Sequence, residues 1–169
     1  MYFGYSAGDG SNWGWSSDIL ITAEERYPSG SYGPAELTLS QFAYTTSKSQ
    51  TTVDSTSFVE PSSDYRVTIT PSAADAIIRI RFQVPTNPGV NYATNTIYTF
   101  RTFRVIDGVT SYDLTSAGDS VGSRNAFAGL SIRPVGYDSN DMMWANWECI
   151  DIPGTTSEVI YGFDFKRGK

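Results

Sequence analysis

The stretch RVTITPSAADAIIRIRFQV, residues 66–84, decides how this chain is read. Successive side chains of a strand point to opposite faces, so Ile78, Ile80, Phe82 and Val84 share one side and Arg79, Arg81 and Gln83 the other. That pattern describes a strand with one face on a core and one toward water or a partner, and Pro85 is expected to end it. Upstream, Val67 and Ile69 alternate with Arg66, Thr68 and Thr70. Pro71 and the small residues after it mark a turn or bend that joins the two pieces.

Working outward, more strand signals appear. TIYTFRTFRVI (96–106) is rich in β-branched and aromatic residues on both sides, as in a strand covered on two faces, and Asp107-Gly108 after it is a tight-turn signal. VIYGFDFK (159–166) places Val159, Tyr161, Phe163 and Phe165 on one face. LTLSQFAY (37–44), FAGLSIRPV (127–135) and WECIDI (147–152) are further short runs. The best helical window, DILITAEERY (18–27), has an Asp at its cap position and stops at Pro28, so one short helix is expected there at most. Short strands between Gly, Pro, Ser, Asn and Asp clusters, with no helix for a parallel crossover, predict an all-β fold: an antiparallel β-sandwich of jelly-roll type. The break at YPSGSYGPAE (27–36) divides the chain into an extended N-terminal arm, residues 1–35, and a sandwich domain, residues 36–169.

Composition excludes several functions. The 169 residues suit one domain with a real core; 40% are apolar and 14% aromatic, unlike a disordered chain. A net charge of −6 with scattered Lys and Arg gives no basic face for phosphates, so nucleic acid is not an expected partner. No apolar run approaches the roughly 18 residues of a membrane helix, and the N-terminus lacks the pattern of an export signal. Cys149 stands alone, which precludes an intrachain disulfide and leaves it a small buried hydrophobe beside Trp147 and Ile150. The sequence has no histidine, which removes the commonest general base and metal ligand.

The remaining chemistry is weak. Glu148 and Asp151 could pair as hydrolase carboxylates, but their odd spacing puts them on opposite faces of a strand, as surface acids near a strand end. DSND (138–141) lacks the spacing of a calcium loop and reads as a polar turn. No enzymatic activity, cofactor or metal is expected. Trp144 and Trp147 are read as core. Trp13 and Trp15 share a face in a glycine-rich segment with little to pack against, so with Tyr2, Phe3 and Tyr5 they are candidate anchors to a partner, the alternative being that the arm folds back onto its own body as an edge strand. Arg79, Arg81 and Gln83 are candidates for a subunit interface.

Three places, VTITPSAADAIIRIRF, YTFRTFRVIDG and IDIPGTTSEVIYGFDFKR, together resemble a family of small β-domains in phage and marine-virus structural proteins, found on tail fibres and as capsid decorations. The likeness covers residues 57–167 and rests on the order of an ITP-S opening, an R-DG turn and a D-PGTTS turn before a tyrosine-bearing last strand. Ala76 stands where the family often has lysine, Val105 and Ile106 precede the second turn, and Ile152 precedes the proline. The resemblance implies a jelly roll that forms homotrimers on a virion surface, with the major capsid protein or a tail component as partner. A single domain without preceding heptads or shaft favours a capsid decoration, or cement, protein of a tailed phage over a tail-fibre knob or receptor-binding domain. A reading of another class is a lectin-like module that binds a host surface glycan, because jelly rolls often stack sugars on aromatic rings.

Overall fold

The computed structural model describes residues 19–28, 37–47, 55–86, 97–117, 128–132 and 143–168. They form nine strands: β1 (Ile19–Pro28), β2 (Leu37–Ser47), β3 (Val67–Ile69), β4 (Ile77–Thr86), β5 (Ile97–Ile106), β6 (Val109–Ser111), β7 (Gly129–Ile132), β8 (Met143–Asp151) and β9 (Val159–Gly168). Short 3-10 turns lie at Ser63–Tyr65 and Thr115–Ala117, and there is no α-helix among the described residues. All pairings are antiparallel, in two sheets: β2-β1-β4-β8, and β3-β9-β5-β6 with β7 also on β5. The sheets pack against each other as a β-sandwich.

The opening stretch crosses between the sheets. Val67 and Ile69 sit in β3 of one sheet, and Ile78, Ile80, Phe82 and Val84 in β4 of the other; all six are buried on the common core. Pro71 lies in the bend between them, as expected. Glu25, fully buried on β1, accepts hydrogen bonds from the Ser72 backbone N–H (2.8 Å) and hydroxyl (2.7 Å), which ties this crossover to the first sheet. Pro85 does not end β4, which continues to Thr86 in register with β8. It is tolerated because pairing with β1 stops at Gln83, so on that side Pro85 lies beyond the ladder.

The core is aromatic. Phe82 stacks on Trp147 at 4.5 Å between centroids, and Phe163 meets both rings edge-on, at 5.9 and 5.5 Å. Phe100 fills the space between Trp147 and Phe165. The indole N–H of Trp147 donates to the Thr102 hydroxyl (2.9 Å), which also contacts the Cys149 sulfur at 3.2 Å. Cys149 is therefore buried as expected, beside a polar partner that satisfies the indole. The β5–β6 hairpin turns at Asp107 (φ 50°) and Gly108 (φ 79°); positive φ at both central residues is what a two-residue primed turn requires, and glycine supplies it without strain.

The largest departure is residues 19–28. The segment expected as a short helix is β1, a ten-residue strand held between β2 and β4. Ile21, Ala23 and Glu25 point to the core and Leu20, Thr22 and Glu24 away from it, so ladder bonds on both edges outweigh the helix preference of the Ala and Glu residues. This part of the expected arm thus belongs to the sheet. Residues 1–18 and 29–36 lie outside the described residues.

Candidate functional site

The outer face of β2-β1-β4-β8 combines exposed rings with paired charges. The register aligns Phe42, Glu24, Arg79 and Ile150 in one row across the four strands, and Tyr44, Thr22, Arg81 and Glu148 in the next. Toward the Thr86 end of the sheet, Trp144 lies opposite Pro85. Exposure is 54% for Phe42, 67% for Tyr44, 53% for Trp144 and 43% for Ile150. Phe42 and Tyr44 stand 6.1 Å apart between ring centroids and are tilted by 32°. Several large apolar side chains exposed on one sheet face are a usual mark of a contact surface.

Between the apolar flanks runs an ionic strip. Arg79 Nε lies 2.8 Å from Glu148 Oε1, and an Arg81 terminal nitrogen 3.3 Å from Glu148 Oε2. The hydrogen bond from Arg79, with help from Arg81 and against partial burial, holds the Glu148 carboxyl below its ordinary range. The hydrogen bond to Glu148 raises the Arg79 guanidinium, and the charge of Glu24 adds to it. These groups are at least a third exposed, so each pair contributes only about 0–1 kcal/mol to folding, and the strip has little value as a fold-stabilising device.

The opposite outer face, over β5 and β9, is closed by the chain itself. The guanidinium of Arg101 lies between the rings of Phe58 (4.0 Å) and Tyr112 (3.6 Å) and donates to Asp164 Oδ2 at 2.7 Å. The Tyr112 hydroxyl donates to the same oxygen at 2.7 Å, and burial pushes its pKa up, with Asp164 adding to the effect. Beside them Phe103 covers Gly162, where a Cβ would come within 2.6 Å of the ring, and the paired Arg66–Glu60 extends the cover. A third polar cluster plugs one end of the sandwich. Asp151, fully buried, accepts from Arg104 (2.6 Å), Tyr161 (2.9 Å) and the Thr115 backbone N–H (3.2 Å). Burial, then the neighbouring Asp151 charge, pushes the Tyr161 hydroxyl far above its ordinary range.

Most expectations for single residues can now be placed. Arg79, Arg81 and Gln83 do share the outer face. Glu148 and Asp151 do lie on opposite sides of β8, but Asp151 is a buried structural acid, not a surface one. Trp147 is core as expected; Trp144 is not, because three residues along a strand reverse the face. Tyr2, Phe3, Tyr5, Trp13, Trp15 and the DSND turn lie outside the described residues. Phe42, Tyr44 and Glu24 are site residues that sequence reasoning misses: the alternation of LTLSQFAY gives the strand, but only the pairing of Ala43 with Ala23 shows that the rings face outward. Among the described residues, no group of three or more His, Cys, Asp or Glu is placed to hold a metal ion. No family model, curated protein or solved structure matches this chain.

Proposed function

We propose that this chain is a structural building block of a virus particle, a capsid decoration protein that works by surface contact and not by catalysis. The observation that carries the reading is the outer face of β2-β1-β4-β8, where exposed aromatic and aliphatic side chains flank a charge-balanced strip. The viral context rests on the resemblance over residues 57–167. Strand order supports its jelly-roll part. In a jelly roll the two sheets run first-last-third-sixth and second-seventh-fourth-fifth. With β1 taken as the last strand instead of the first, and β6 and β7 together as the fifth, β2-β1-β4-β8 and β3-β9-β5-β6 follow that order. The chain then reads as a jelly roll whose last strand has been moved to its N-terminus.

The outer face serves contact between copies, and the aromatic residues 2–15 serve as the anchor to the particle. A chain starting at Asp18 keeps all nine strands, and it is expected to fold and self-associate but to lose binding to particles stripped of this protein. Full retention of particle binding by that chain would remove residues 1–17 from the anchor. Complete failure of the intact chain to bind such particles would remove the decoration role.

A second reading has its own observation: Phe42 and Tyr44 form a pair of exposed rings on a sheet face, the arrangement on which sugar rings stack. A glycan array decides it. Binding that is lost in Tyr44→Ala would favour a lectin-like module, whereas a silent array leaves the assembly role.

A further inference from the structure

We propose that the outer face of β2-β1-β4-β8 docks onto the same face of a second copy about a twofold axis parallel to the strands, pairing Glu24 of each copy with Arg79 of the other. This rests on the reading of that face as the contact surface and specifies its occupant and geometry. The argument is the order of side chains across the sheet. The row runs Phe42, Glu24, Arg79, Ile150 over β2, β1, β4 and β8. A twofold axis between β1 and β4 reverses this row in the second copy. Phe42 then lies over Ile150 of the partner copy, and Glu24 over its Arg79. The next row behaves in the same way, with the Tyr44 hydroxyl over Glu148 of the second copy and the Thr22 hydroxyl over its Arg81.

Charge decides between a second copy and other occupants. The whole chain carries −6, so two copies repel each other except where a face is locally balanced. Here Arg79 and Arg81 stand against Glu24 and Glu148, and the pattern is complementary to its own reverse, as an isologous contact requires. The apolar flanks are complementary at one row, where the Phe42 ring on β2 meets Ile150 on β8. Aligned sheet packing at about 30° keeps the register best at β1 and β4, next to the axis. Four strands about 4.8 Å apart and four rows about 6.7 Å apart give roughly 500 Å² per copy, the low end of specific contacts, so the association should depend on concentration. The register fits two copies across this face rather than the three that the resemblance implies.

Two single variants and their mixture test the geometry by sedimentation velocity, with circular dichroism to check that each is folded. Glu24→Lys places two like-charge contacts in its own dimer, the introduced lysine of each copy against Arg79 of the other, and Arg79→Glu places two of the opposite sign. Each alone should associate at least ~10-fold more weakly than the wild type. Mixed one to one, they should recover association, because one half of the mixed pair sets the new lysine against the new glutamate and the other half retains the native pair. No internal defect of either variant would be repaired by mixing. Weakening by both variants without recovery in the mixture overturns the twofold register and leaves the face as the contact. Association unchanged in both variants, or a wild type that stays monomeric at high micromolar concentration, overturns the register and the contact face together.

Discussion

The two outer faces of this sandwich use the same chemistry to opposite ends. Over β5 and β9, aromatic rings, an arginine and a carboxylate close on one another: Arg101 is stacked between Phe58 and Tyr112, and Asp164, 6% exposed, accepts from both Arg101 and Tyr112. Over β2-β1-β4-β8, Phe42, Tyr44, Arg79 and Glu148 lie side by side in register without stacking into a closed group. Coulombic attraction strengthens as water is excluded while desolvation opposes it, so in the nearly buried first set the loss of one partner is costly, whereas the exposed second set contributes little to the fold. The difference separates residues that complete a fold from residues available to a partner.

The largest effect that could break this comparison is loss of the shared support. A chain starting at Ala35 lacks β1, the strand between β2 and β4, and is expected to show no cooperative melt; a cooperative melt would mean that the open face does not need its central strand. Phe82→Ala, beneath the ionic strip and stacked on Trp147, should cost about 3–5 kcal/mol in chemical denaturation. On the closed face, Arg101→Ala removes the partner of a nearly buried carboxylate and should cost about 2 kcal/mol, after allowance for the partial exposure of Arg101. Gly162→Ala forces the Phe103 ring to move and should cost about 1–3 kcal/mol. If either closed-face variant melts like the wild type, the distinction between the faces fails from that side.

The open face should show the smallest effects on stability. Glu148 has its folded pKa depressed by Arg79, so its contribution is present above the unfolded value of about 4.3 and is lost as pH falls through the lower folded value. Wild type and Glu148→Gln should therefore differ slightly near neutral pH and converge below about pH 4. A difference that grows toward acid would reverse the assignment.

What can be read in advance follows a physical division. Strand alternation is local, so the faces of Ile78–Val84 and of Val159–Phe165 are legible from period alone. The state of residues 19–28 is not, because Ala23, Glu24 and Glu25 favour a helix and only the ladders on both sides make the segment a strand. The same limit hides half of the site. Arg79, Arg81 and Gln83 are visible as the wet side of a patterned strand, whereas Phe42 and Tyr44 alternate correctly but face outward for a reason held in the partner strand. Asp151 reads as a surface acid in the sequence because its partners Arg104, Tyr161 and Thr115 are distant in sequence or across a turn.

The most direct test of the account is sedimentation velocity over a concentration series on the wild type and on the double variant Phe42→Ser/Tyr44→Ser, with the melting temperature of each measured in parallel. The wild type should associate reversibly as concentration rises, and the double variant should remain monomeric while melting within a few degrees of it, because the two rings contribute to contact and little to the fold. A double variant that associates like the wild type would contradict the assignment of this face as the contact surface, and one that fails to fold would show that the rings belong to the domain's own stability.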